Sequence, residues 1–188
     1  MIVHRLGVIN KNQKGFTLVE LAVALAITGL ITGGITMTIF QVFDVNARTS
    51  NHMTAVRQVQ NAGYWISRDA QMAQSTVITE VLGFPSTLTW TEYVAPSDEH
   101  QVVYTLLADN KLQREHYTNR DINPDPNTTT FVAQYIDSDT TKTKCEFIDT
   151  DGDTIKDKLI LIVTATVSGW PQEQSETRIY EVIPRPGS

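Results

Sequence analysis

Three patterns of apolar and polar positions follow one another along the chain. From Phe16 to Phe43 the residues are apolar, small or uncharged, with Glu20 as the only charge and no proline. A helix needs about 20 mostly apolar residues to cross a bilayer, so this run can span one with residues to spare. From Asp44 to about Ser75 the apolar positions alternate spacings of three and four: Met53, Val56, Val59, Gly63, Ile66, Ala70 and Ala73. They lie on one helical face, with Arg57, Asn61, Arg68 and Gln71 opposite. The spacing predicts one continuous helix whose first part is anchor and whose second part packs on a sheet.

After Ser75 the period becomes two, with turn residues between the runs. The predicted strands are Thr76–Leu82, Thr87–Tyr93, Gln101–Leu107, Leu112–Thr118, Thr130–Ile136, Lys144–Ile148, Leu159–Ser168 and Arg178–Ile183. Asp109-Asn110-Lys111 reads as a hairpin turn. Arg120–Thr129, with Pro124 and Pro126, reads as a loop. Sequential strands on short turns predict an antiparallel meander laid against the helix, an α+β fold. Within the apolar run, Gly29 and Gly33 form a small-xxx-small pair, and Thr28, Thr32 and Thr36 extend the same narrow face. Such a face lets helix backbones approach closely in lipid.

Charge gives the first segment a direction. Arg5, Lys11 and Lys14 precede the apolar run and no acidic residue does. That bias holds residues 1–15 in the cytoplasm and sends the chain beyond Phe43 outward. The expected organisation is a leader over 1–15, a spanning helix over 16–43, and an extracytoplasmic domain over 44–188 with helix to 75 and then sheet. An ordinary secretory signal is cut after its apolar segment, which is then lost. Here the expected cut is before it. Gly15 has no Cβ, so the backbone there can lie extended in a narrow protease site. Cleavage between Gly15 and Phe16 would keep the anchor and create an ammonium group on Phe16, one helical turn from Glu20. A carboxylate inside a spanning segment is costly and wants a partner, and the new amine would supply one on the same helix or a neighbouring one.

The stretch Lys14-Gly15-Phe16-Thr17-Leu18-Val19-Glu20-Leu21 resembles the type IV prepilin signature, a basic leader followed by Gly-Phe-Thr-Leu-x-Glu and a spanning helix. The resemblance implies a pilin-like fold and a prepilin peptidase that cuts after Gly15 and methylates the amine of Phe16. It also implies that Glu20 guides the packing of subunits into a filament, with an inner-membrane assembly platform and other pilin or pseudopilin subunits as partners. On this reading the protein is a structural subunit of a type IV pilus or a type II secretion-like pseudopilus, and not an enzyme. Many true pilins close a C-terminal loop with a disulfide. Cys145 is the single cysteine, so no intramolecular disulfide forms, which leans toward a pseudopilin or minor subunit. The hairpin carrying Val102-x-Tyr104 and Leu112-x-Arg114 also looks like those of larger minor pseudopilins.

The remaining composition narrows the ligands. Of 188 residues at net charge −6, those after Gly15 hold 12 basic and 21 acidic groups, or −9. That balance argues against nucleic acid as the main ligand. No nucleophile elbow, phosphate loop or His-Glu-x-x-His is present. His100, beside Asp98 and Glu99, reads as part of a solvated loop, and Cys145 as a small core residue. The exception is Asp149-Thr150-Asp151-Gly152-Asp153-Thr154-Ile155-Lys156-Asp157. Carboxylates at alternating positions around a glycine can converge on a hard cation. The run resembles the calcium loops of extracellular modules, which implies Asp149, Asp151, Asp153 and Asp157 with the carbonyl of Ile155 as ligands. It departs from an EF-hand because Ile160 holds the place of the bidentate glutamate and the glycine comes two positions early. The alternative from another class is a membrane-anchored calcium-binding adhesion module that does not polymerise.

Overall fold

The computed structural model describes residues 15–78, 83–92, 97–150 and 157–184. Helix α1 covers Leu18–Met72, and the chain separates into two compact units whose boundary falls between Asp44 and Val45. In the first unit every residue from 15 to 43 is exposed. The helix there is long and apolar enough to cross a membrane. The hydroxyls of Thr28, Thr36 and Thr38 donate to carbonyls four residues back, at 2.8, 2.8 and 2.9 Å. That bonding satisfies the hydroxyls within the helix and turns the methyl groups outward. Gly29 and Gly33 have open space where a Cβ would stand, and they line a shallow groove with Leu25, Thr28, Thr32 and Thr36.

The second unit holds the rest of α1 and two antiparallel sheets. Strands β1 (Ser75–Ile78), β2 (Ser86–Glu92), β3 (Asp98–Leu106), β4 (Leu112–Thr118) and β5 (Thr128–Ala133) follow one another across a five-stranded sheet. Strands β6 (Lys144–Ile148), β7 (Lys158–Val167) and β8 (Gln174–Val182) form a separate three-stranded sheet. The single meander expected from the sequence is therefore two meanders. The break falls inside the predicted strand Thr130–Ile136, which ends at Ala133. Tyr135 takes a left-handed backbone at φ 60° and turns the chain out of the first sheet. Ile136, fully buried, then makes an isolated bridge to Ala165 while its N–H donates to Asn110 O at 2.9 Å. The residues on either side of it add to the link, the Thr166 N–H donating to Tyr135 O at 2.8 Å and the Asp137 N–H to Thr164 O at 2.9 Å.

The remaining boundaries shift for local reasons. β8 begins at Gln174, four residues before its predicted start, because its polar residues alternate outward while pairing with β7 from Val167↔Gln174 onward. The predicted ends of the first two strands, Thr79–Leu82 and Tyr93, lie outside the described residues. The turn at Asp109-Asn110-Lys111 joins β3 to β4, with Asn110 at φ 61° and the Leu107 N–H donating to Lys111 O at 2.9 Å.

The buried face of α1 is turned slightly from the predicted one. Ala55, Val59, Ala62, Ile66, Ala70 and Ala73 are buried, whereas Met53 is exposed and Val56 only half-buried. Small side chains define this line because the sheets come close to the helix. At Gly63 a Cβ would stand 2.1 Å from the Tyr180 ring of β8, whose hydroxyl donates to Val59 O at 3.1 Å. The core continues through Leu88, Val102, Tyr104 and Leu112 of the first sheet and Leu159, Leu161, Val163 and Ala165 of the second. Cys145 belongs to it, and burial pushes its thiol up to about 12, so it packs as a small apolar group.

Candidate functional site

Gly15, Phe16 and Thr17 precede the helix and are exposed, with the Phe16 side chain 91% accessible. Nothing lies within 4 Å of the position a Gly15 Cβ would take. The Gly15–Phe16 bond therefore sits in non-helical, uncovered backbone, which is the form a protease can draw into an extended active site. Thr17 marks the helix start. Its Oγ1 accepts from the Glu20 N–H at 3.3 Å, and Glu20 Oε2 accepts from both the Thr17 N–H and the Thr17 hydroxyl at 2.9 Å. This is a capping box, in which the residue before the first turn and the third residue of the helix satisfy each other's free donors. Glu20 thus has partners in the uncut chain, before any amine exists on Phe16. The signal for it, Thr-x-x-Glu ahead of an apolar run, lies in Thr17–Glu20 and overlaps the cleavage signature.

The aspartate loop is described at its two ends. The Asp157 N–H donates to Ile148 O at 2.9 Å, closing the turn between β6 and β7. Asp157 Oδ1 accepts from the Thr150 N–H at 3.0 Å, and its other oxygen accepts from the Thr150 hydroxyl. Asp149 is half-buried beside them. Asp151, Asp153 and Ile155 lie outside the described residues. Among the described residues no group of three or more His, Cys, Asp or Glu side chains is placed to hold a metal.

The second unit also contains a charged site that the pattern of apolar residues does not reveal. Asp69 is 1% exposed on the packing face of α1. Its carboxylate accepts from Tyr104 Oη at 2.5 Å, from Arg114 Nε at 2.7 Å and from Arg114 Nη2 at 3.1 Å. Tyr104 and Arg114 are directly opposed across β3 and β4, and the Arg114 guanidinium lies 5.0 Å over the Trp65 ring. Burial, then the Asp69 carboxylate, pushes the Tyr104 phenol well above its ordinary range, so it stays a donor. A lone Asp between Arg68 and Ala70 on an alanine-lined face was the available signal.

Next to it the histidines correct the sequence reading. His100 is not in a solvated loop but on β3, its ring stacked on His116 at 5.2 Å and on Trp90 at 5.5 Å. His100 Nδ1 and His116 Nε2 are 3.1 Å apart, and Glu92 Oε2 lies 3.3 Å from His100 Nε2. Burial, then the charges of Arg114 and His100, pulls the His116 imidazole below the ordinary histidine range. At 3.1 Å one of the two facing ring nitrogens donates and the other accepts.

Comparison with known proteins bears on the first of these places. Residues 10–36 match the family described as the prokaryotic N-terminal methylation motif. The junction and the first part of α1 thus carry a type IV prepilin-type signature. No curated protein and no solved structure matches the chain.

Proposed function

We propose that this protein is a structural subunit of a type IV filament, a pilus or a type II secretion-like pseudopilus, and that it acts by assembly and not by catalysis. A prepilin peptidase removes residues 1–15 and methylates the amine of Phe16. The spanning helix then holds the subunit in the cytoplasmic membrane with the second unit outside, until an assembly platform adds it to a filament of pilin or pseudopilin subunits. The observation that carries this reading is the coincidence at one point of the methylation-motif match, an exposed non-helical Gly15–Phe16 bond and a capped apolar helix. Intact mass and N-terminal peptide mapping test it. The mature chain begins at methylated Phe16 in cells with an active peptidase, and Gly15→Leu blocks the cut. A chain still carrying Met1–Gly15 in such cells defeats the reading. A chain that is cut but stays wholly with the membrane when shear releases filaments is instead the non-polymerising calcium-binding adhesion module.

The same proposal includes one calcium ion at the β6–β7 turn, held by Asp149, Asp151, Asp153, Asp157 and the Ile155 carbonyl. Hard cations take oxygen ligands, and each Asp157 oxygen keeps a lone pair beyond its bond to Thr150. The Thr150–Asp157 contact supports the reading because it brings the two ends of the loop together.

A further inference from the structure

His100 and His116 lie on the side of the first sheet that packs against α1. His100 shares a face of β3 with the buried Val102 and Tyr104, and His116 shares a face of β4 with Leu112 and Arg114. Tyr104 and Arg114, on those same faces, hold the buried carboxylate of Asp69. The two imidazole planes are within 9° of parallel, and Trp90 of β2 lies against both rings, with centroids at 5.5 and 6.1 Å. The His100 side chain is 16% exposed and His116 is half-buried.

A contact between two imidazoles depends on how many protons they carry. A neutral imidazole has one N–H and one lone pair, whereas an imidazolium has two N–H groups and no lone pair. While at most one ring is charged, one of the facing nitrogens, 3.1 Å apart, can donate and the other accept. When both are charged, both facing nitrogens carry N–H. The bond is then lost, and two positive charges stand on touching rings.

The surroundings accept one such charge and oppose a second. From β2, Glu92 Oε2 lies 3.3 Å from His100 Nε2, and Asp98 of β3 stands opposite Glu92, so a charge on His100 has carboxylates near it. His116 has no such neighbour. On β4 it is two residues from Arg114, and on α1 Arg68 lies over the Trp65 ring that Arg114 also covers. Asp69, the acid that α1 offers here, is already paired with Arg114. From β5, His116 is opposed by the uncharged Thr128. Burial, then the charges of Arg114 and His100, accordingly disfavours the charged form of His116.

We propose that the His100–His116 contact is an acid-sensitive latch on the packing of α1 against the first sheet, closed while at most one of the two rings is charged and opened when both are. Opening it parts β3 from β4 beside the point where Arg114 holds Asp69. The folded chain resists protonation of His116, whereas the unfolded chain takes up that proton near the ordinary value of about 6.5. The stability contributed by the contact is therefore present above that value and lost as the pH falls below it. The latch does not depend on entry into a filament.

Full-length protein in detergent, with isotope-labelled histidines, tests this by NMR titration from about pH 8 to 4.5. The His100 and His116 resonances, assigned through His100→Gln and His116→Gln, should titrate as a coupled pair in two steps. His52, exposed on α1, is the single-site reference. The melting temperature of the wild-type chain should drop across the second step. His116→Gln keeps a donor and an acceptor but takes no charge, so it should at least halve the drop. In His100→Gln the remaining His116 should titrate in one step. Independent single-step titration of both rings in the wild type overturns the proposal, as does a drop of equal size in His116→Gln. Two steps in His100→Gln, with one imidazole of the pair left, would also overturn it. The wild-type titration decides the matter even where a variant fails to fold.

Discussion

Asp69, Tyr104 and Arg114 commit three side chains from a helix and two strands to a single buried carboxylate. Removing one partner of such a group leaves the others dehydrated and unpaired, which costs about 3–5 kcal/mol for a buried ion pair. Asp69→Ala should therefore lower the melting temperature by roughly 10 °C, at about 2–4 °C per kcal/mol for a domain of this size. Tyr104→Phe should cost far less, about 1 kcal/mol, because Arg114 still makes both of its bonds to the carboxylate. Thermal melts of the full chain in detergent check the order, and equal losses for the two would show that the carboxylate is not the centre of the site. The periodicity of α1 located the helix and most of its buried line, Val59, Ile66, Ala70 and Ala73. It could not locate Asp69, because a carboxylate counts as polar until a guanidinium 45 residues away is known to reach it. The hairpin with Tyr104 and Arg114 was legible as a motif, but its meaning depended on that third residue.

At the scale of one element, the proposed function asks the start of α1 to serve two readers in turn. Glu20 completes the cap with Thr17, and under the proposed cleavage a new Phe16 amine would stand next to that cap. Glu20→Val should leave cleavage largely intact, since Gly15 and the basic leader are unchanged, and should impair entry into filaments. Glu20→Gln separates the two roles: its amide oxygen can still accept from Thr17, but its charge is gone. If charge drives incorporation, Glu20→Gln fails like Glu20→Val, while Thr17→Ala, which keeps the carboxylate, incorporates better than either. Quantifying each variant in membrane and sheared fractions decides this, and wild-type incorporation of Glu20→Gln would make the cap the functional unit. The eight strands were likewise legible one at a time, with Leu112–Thr118 and Lys144–Ile148 as predicted. Their division into two sheets was not, because it turns on the backbone of Tyr135, a residue whose side chain favours strands.

For the whole molecule the turn between β6 and β7 predicts a response to calcium. Four carboxylates in nine residues repel, and a cation that neutralises them stabilises the folded chain. Extracellular calcium modules bind at about 10⁻⁴–10⁻³ M, and at ten times the dissociation constant binding adds ~1.4 kcal/mol. The protein should melt a few degrees higher in millimolar calcium than in chelator, with a much smaller effect of magnesium. Asp151→Ala with Asp153→Ala should remove the increment, and an identical melt with and without calcium would leave the loop a plain acidic turn. The fit of Tyr180 over Gly63 has a consequence of another kind. The Tyr180 hydroxyl reaches Val59 across 121 residues, so the socket on α1 and its cover on β8 lie far apart in chain order. Until β8 docks, Val59 and Gly63 stay open to water, and a chain released short of Tyr180 never closes them. Closing the socket therefore depends on a contact of high sequence separation, which forms only once β8 has paired and packed.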